Sequence, residues 1–180
     1  VQKSASQLLR DHNVMTEIIV VNNKSTDNTY KTATEMGATV IDQPLKNIAL
    51  TRNAGIQAAK NDLIVTIDAD CTLEEDALKK IYMRMAKGEF IGGALGLKIH
   101  SPKKHVTIIA RLIQWVVCRI SGIHGAVFCF SRKAALEIGG FPKDLLVAED
   151  TGFALRLRAH GKQKNLKFGN FKEIQIHTID

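Results

Sequence analysis

Short apolar runs alternate with amphipathic stretches along the first half of the chain. Residues 17–21 (EIIVV), 38–41 (ATVI) and 62–67 (DLIVTI) read as buried strands, whereas 27–36, 49–60 and 74–86 carry helical spacing. Short links between such patterns predict right-handed crossovers and a mostly parallel sheet with helices on both faces. Ligands of open sheets bind beyond the carboxyl ends of the strands. The polar segments NNKSTDNT (22–29) and DADCT (68–72) fall there. Thr72, followed three residues later by Glu75, has the form of a capping box, which places Asp70 in a tight strand-to-helix turn. The second half is less regular: 90–99 and 125–131 read as strands, and 149–161 as a helix with Gly161 as its left-handed stop. The chain opens in a helix-like segment where an α/β domain normally opens in a strand. The expectation is therefore one three-layer α/β domain over 1–180, truncated at both ends and lacking its first strand.

With 180 residues, 45% of them hydrophobic, the chain is long enough to bury one core. Lys and Arg outnumber Asp and Glu by 25 to 18, and the net charge of +7 favours a phosphate-bearing ligand, a membrane surface or nucleic acid. Aromatic residues at only 6%, with scattered Lys and Arg, argue against nucleic acid. Cys71, Cys118 and Cys129 are odd in number and far apart, so a disulfide framework or structural zinc site is not expected, and a reducing cytoplasmic compartment is. Residues 1–10 hold no apolar signal core, and no apolar run reaches the roughly 18 residues of a membrane span. Residues 101–120 add a separate signal. On a helix, Lys104, Thr107, Arg111 and Gln114 share one side, leaving Ile108, Ile109, Leu112, Ile113, Trp115 and Val116 on an apolar arc. That face fits packing on the sheet, a peripheral membrane contact or a dimer contact.

The sharpest chemical signal is IVTIDADCTLEE (64–75), in which a hydrophobic run ends on Asp68 and Asp70. Two carboxylates on alternate residues of an extended segment point the same way and repel unless a cation intervenes. Oxygen ligands of this kind suit Mg2+ or Mn2+, which commonly complete their shells with substrate phosphates. The plain alternative is a solvated acidic turn.

VVNNKSTDNT (20–29), LTRNAG (50–55), DAD (68–70) and GGFPKDLLVAEDTGFALRLRAHG (139–161) together resemble the inverting family 2 glycosyltransferases, GT-A-fold enzymes that use nucleotide-diphospho-sugars. The resemblance spans about residues 20–170, with four motifs in the family's order. It implies that Asn22, Asn23 and Ser25 stand where the family has an Asp-Asp-Gly-Ser turn holding base and ribose. It also implies that Arg52 approaches the nucleotide, that Asp68 faces the ribose, and that Asp68 and Asp70 bind the metal. Glu149 and Asp150 match the family's acidic pair, with Asp150 as catalytic base. His124 and Gly125 fall near the acceptor-side glycine loop, and His177 where a further metal-ligating histidine often sits. The implied cofactor is Mn2+ or Mg2+, and the implied partners are a nucleotide-diphospho-sugar donor and a glycan or lipid-linked acceptor.

Inverting transfer needs a base for the acceptor hydroxyl, charge stabilisation for the departing diphosphate, and positioning of both. The residues above supply that set. Each also has a structural reading: helix-start acids for Glu149 and Asp150, an exposed helix residue for Arg52, a satisfied strand histidine for His177, an ordinary loop residue for His124. Asn22 and Asn23 depart from the family's acids, and amides that both donate and accept leave the base open. A nucleotidyltransferase or a non-catalytic nucleotide-sugar-binding fragment are the alternatives. The former usually carries a glycine-rich phosphate loop, and neither G-x-x-x-x-G-K-[ST] nor G-x-G-x-x-G occurs.

Overall fold

In the computed structural model of the chain, the structure describes residues 1–98, 112, 115, 116, 118, 119, 121–123, 127–144 and 148–178. His124, Gly125 and most of 101–120 lie outside these residues.

The first half alternates as its apolar pattern predicts: α1 (Gln2–His12), β1 (Ile19–Asn22), α2 (Thr29–Glu35), β2 (Thr39–Asp42), α3 (Ile48–Ala58) and β3 (Leu63–Val65). Then come β4 (Cys71–Leu73), α4 (Ala77–Met85), β5 (Phe90–Lys98), β6 (Phe128–Ser131), α5 (Arg132–Glu137), α6 (Glu149–Gln163) and β7 (Lys167–Thr178). Strands β1 and β2 form a parallel pair, and the other five form a sheet in the order β3-β6-β5-β7-β4. The α/β architecture is as expected, and its sheet is mixed. Parallel pairing joins β1 to β2 and β5 to β7, whereas β3–β6, β5–β6 and β4–β7 are antiparallel.

Side chains alternate across the five-stranded sheet and build two cores. Phe128, Phe130 and Ala94 face one side, against Ile56 of α3, Ala134 and Ala135 of α5, and Phe153 and Leu157 of α6. Cys129 and Leu95 face the other, against Leu8 of α1 and Leu78 and Ile81 of α4. The result is three layers. On the first face the rings of Phe141 and Phe153 stack with centroids 4.0 Å apart, and Phe130 meets Phe153 edge-on at 4.9 Å. This aromatic knot anchors the turn before α6 to the sheet.

Two local expectations are corrected. Thr72 does not cap a helix: it lies in β4, paired with His177 of β7, and α4 begins at Ala77 after Asp76. The pairing partner is 105 positions away, which no local motif reveals. Gly161 is not a helix stop. It is buried within α6, where a Cβ would lie 2.7 Å from Ile91 Cγ2, and the left-handed residue beyond the helix is Asn165, at φ 56°.

Candidate active site

The site is built by α3, the turn after β3 and the first turn of α6. Asn47 starts α3: its side-chain oxygen accepts the Leu50 N–H at 2.9 Å, so Arg52 emerges from the second turn. Arg52 Nη1 donates to Glu149 Oε1 at 2.9 Å, and its Nη2 donates to Asp68 Oδ1 at 3.1 Å. The guanidinium also lies 5.3 Å from the centre of the Phe141 ring. Only 14% of the Arg52 side chain and 13% of Glu149 are exposed, against 49% of Asp68. One planar cation thus joins three of the four sequence motifs, a task that its fork of donors suits.

The acids at 68 and 70 do not project from an extended strand. Strand β3 ends at Val65, and Thr66 continues its pairing by donating its backbone N–H to Phe128 O at 2.9 Å. The chain then turns, with the Cys71 N–H donating to Asp68 O at 3.0 Å. Repulsion between the two carboxylates is relieved by divergence: Asp68 turns to Arg52, and Asp70 accepts the Cys71 thiol hydrogen at 3.4 Å. Burial, and then that bond and the charges of Asp70 and Asp68, push the Cys71 thiol up to about 11. The turn leads into β4 rather than into a helix.

Glu149 and Asp150 occupy the first turn of α6, where the helix dipole favours acids. Ala148 precedes them in a left-handed conformation, φ 64°, and gives the helix no side-chain cap. Asp150 Oδ1 accepts the Thr151 N–H at 2.6 Å. His177 faces the same end of the sheet through its pairing with Thr72, with Nε2 3.5 Å from Glu74 Oε1.

The loop after β1 is held by its own amides. Asn22 donates to Asp42 Oδ1 at 2.8 Å and accepts the Ser25 N–H at 3.2 Å, while Asn23 donates to the carbonyls of Gln43 and Leu45 at 2.9 and 2.7 Å. Both side chains therefore bind this loop to the one leading into α3.

Asn53 is the residue that the sequence reading passed over. Its side chain donates to Phe141 O at 2.9 Å and accepts the Phe141 N–H at 2.7 Å, gripping the turn that precedes α6. The available signal was its place beside Arg52 in LTRNAG, opposite the glycine pair of GGFP. Gly140, at φ 72°, admits no side chain, since a Cβ would stand 2.3 Å from Asn53 Oδ1. A groove of about 250 Å³ beside this contact is lined by Asn53, Gly140, Gln43 and Lys143; the acids lie outside its lining.

As a metal site the acids form a half-site. Asp70 presents an exposed carboxylate, and among the described residues no three of His, Cys, Asp and Glu gather as a complete ligand set. Such oxygen donors fit a hard cation that keeps water and takes phosphate oxygens, as Mn2+ and Mg2+ do.

The mixed sheet covered on both faces, with acids in the turn after β3 and at the start of α6, has the GT-A fold. Residues 4–131 match glycosyl transferase family 2, and the chain belongs to that family. It is 27% identical over 164 residues to the Bacillus subtilis protein named "Probable glycosyltransferase YdaM", covering 78% of this chain and 39% of that one. An uncharacterized glycosyltransferase of Mycobacterium tuberculosis is 34% identical over 70 residues, 39% of this chain and 32% of its own. The chain thus spans about a third of the length of these curated relatives. Glucosyl-3-phosphoglycerate synthase from M. tuberculosis, solved with Mn2+, UDP and phosphoglyceric acid, superposes with a TM-score of 0.69 at 16% identity, over 99% of this chain and 64% of that one. Mannosyltransferase PcManGT from Pyrobaculum calidifontis, solved with GDP-Man and Mn2+, gives a TM-score of 0.65 at 18% identity, over 89% and 47% of the two chains.

Proposed function

We propose that the protein transfers a sugar from a nucleotide-diphospho-sugar to an acceptor hydroxyl with inversion at the anomeric carbon. The observation that carries this reading is Arg52, which bridges Asp68, in the turn after β3, and the helix start bearing Asp150. Asp68 faces the donor's ribose, and the loop braced by Asn22, Asn23 and Ser25 shapes the nucleotide side. Asp150 takes the proton of the acceptor O–H. The acceptor oxygen bonds to the anomeric carbon while the bond from that carbon to the diphosphate breaks, and the electron pair leaves with the nucleoside diphosphate. Asp70, with Asp68 and His177 as further ligands, would hold a Mn2+ or Mg2+ ion, which would supply charge stabilisation to the departing diphosphate. Solved neighbours with UDP and Mn2+ or with GDP-Man and Mn2+ support this donor class.

The test is a panel of UDP- and GDP-sugars offered with Mn2+ and glycan or lipid-linked acceptors. Nucleoside diphosphate release with an inverted product is expected. Pyrophosphate release would indicate a nucleotidyltransferase, and nucleotide binding without turnover a non-catalytic module.

The reading extends to location. All three cysteines are free thiols, which suits a cytoplasmic protein. Among the described residues no helix is long and apolar enough to cross a membrane. Leu112, Trp115 and Val116 are 59%, 62% and 40% exposed, which favours a peripheral contact of the 101–120 segment with an anionic lipid surface.

A further inference from the structure

We infer that Arg52 is a positioning residue that couples the two sides of the site: a nucleotide engaging Asp68 tightens the first turn of α6, and with it Asp150. The inference rests on the reading under Proposed function, and it concerns a connection that this reading does not need.

Three observations carry it. First, consecutive residues of α3 hold the two ends of the segment from 141 to 149. Asn53 grips the backbone of Phe141, while Arg52 binds Glu149 and stacks on the Phe141 ring. Second, α6 begins without a side-chain cap, after a left-handed alanine. Its first turn therefore depends on the contacts of its own acids, among them the Arg52–Glu149 pair, largely shielded from water. Third, the same guanidinium is shared with Asp68, whose side chain is about half exposed and open to a ligand.

One cation divided between two carboxylates serves neither fully. Ribose hydroxyls donating to Asp68 draw it away from Arg52, and the guanidinium then falls to Glu149, in a drier setting where the pair is stronger. Asp70 and Cys71 stand outside this exchange. Lysine, a point charge, does not reproduce the two-sided contact.

Backbone amide hydrogen exchange in Mn2+ alone and in Mn2+ with UDP or GDP tests the coupling without measuring turnover. In the unaltered protein the nucleotide is to slow exchange at both 68–73 and 150–153, the latter by about fivefold or more, the low end of typical coupling between sites. In Arg52→Lys the effect is to persist at 68–73 and vanish at 150–153. A merely structural role for Arg52 would change exchange equally with and without nucleotide. Should Arg52→Lys fail to fold, Glu149→Gln removes the charge at the other end and is to give the same pattern. Nucleotide-dependent slowing at 150–153 that survives in either folded variant overturns the coupling. So does slowing confined to 68–73 in the unaltered protein. No response at 68–73 to either nucleotide overturns the site reading, and the coupling with it.

Discussion

Asn53 and Phe141 lie 88 positions apart and exchange two hydrogen bonds, at 2.9 and 2.7 Å, through one amide side chain and one peptide unit. Phe141 is buried, so cutting the amide leaves a backbone donor and acceptor without partners. Asn53→Ala is expected to cost roughly 2–6 kcal/mol, at about 1–3 for each orphaned group. Gly140→Ala is expected to destabilise by a similar amount, because the new Cβ meets the Asn53 amide. In an Asn53→Ala background that clash is gone and only the left-handed backbone strain remains. Urea unfolding of the two single variants and the double variant measures this. Strictly additive losses would mean that Gly140 and Asn53 do not constrain one another.

Asp70 and Asp68 differ in what holds them, and their substitutions separate accordingly. Asp70 is exposed and meets only the Cys71 thiol among the described residues, so Asp70→Ala is expected to leave stability within about 0.5 kcal/mol. It is nevertheless expected to abolish Mn2+-dependent binding of UDP or GDP. Calorimetric titration decides the matter: unchanged affinity in the variant removes Asp70 from the metal's ligands.

Cys71 reports on the same turn. With its thiol at about 11 instead of the ordinary 9.0, the thiolate population at pH 8 is roughly a hundredfold lower than for an ordinary cysteine. Reaction with a maleimide, followed in a Cys118→Ser background, is expected to be slow and to accelerate as pH rises toward 11. Asp70→Asn removes the charge and leaves an amide oxygen that accepts the thiol hydrogen more weakly, which lowers the pKa and speeds the reaction at pH 8. Burial, the larger cause, remains, so the acceleration is partial. A rate insensitive to Asp70→Asn would remove Asp70 from the causes of the shift, leaving burial and the charge of Asp68.

The apolar runs made β1, β2 and β3 and the helices between them legible, because each is a local pattern with a period. The mixed character of the sheet was not legible, since β7 inserts between β5 and β4 by pairings whose partners are 77 to 105 positions apart in the case of Phe90 with Lys167 and Thr72 with His177. The same long reach turned Thr72 from a helix cap into a strand residue. Among the site residues, charge chemistry marked Asp68 and Asp70 and asked for a cation between them. The cation that Asp68 has found is Arg52, sixteen residues upstream, and only the packing of α3 on the sheet could reveal it. Asn53 was missed because an amide that binds backbone leaves no charge pattern.

The exposed Leu112, Trp115 and Val116 lead to a measurement on lipid. Vesicles carrying anionic lipid are expected to retain the protein at low salt and release it at high salt, because attraction between surface charges is screened within a Debye length of about 10 Å at 0.1 M. Absence of co-sedimentation under both conditions would return the segment to a role in packing or dimerisation.

Asp150→Asn tests the proposed chemistry most directly. Asp150 sits at the start of α6, while Asp68 and Asp70 lie in the turn after β3, so the substitution leaves the donor's expected partners untouched. An amide oxygen can still accept the Thr151 N–H that Asp150 Oδ1 now accepts, and the local turn is preserved. What is lost is the ability to take a proton. Transfer is therefore expected to fall on the order of 10² to 10⁴, the usual worth of a positioned base. The loss should appear in kcat, with the donor's KM little changed, because an interaction made only in the transition state contributes nothing to donor binding. Glu149→Gln makes the contrast, since Glu149 is committed to Arg52 at 2.9 Å and its substitution acts on geometry instead of on proton transfer. Near-normal turnover by a folded Asp150→Asn protein would assign Asp150 to the helix start alone and leave the base to be sought elsewhere.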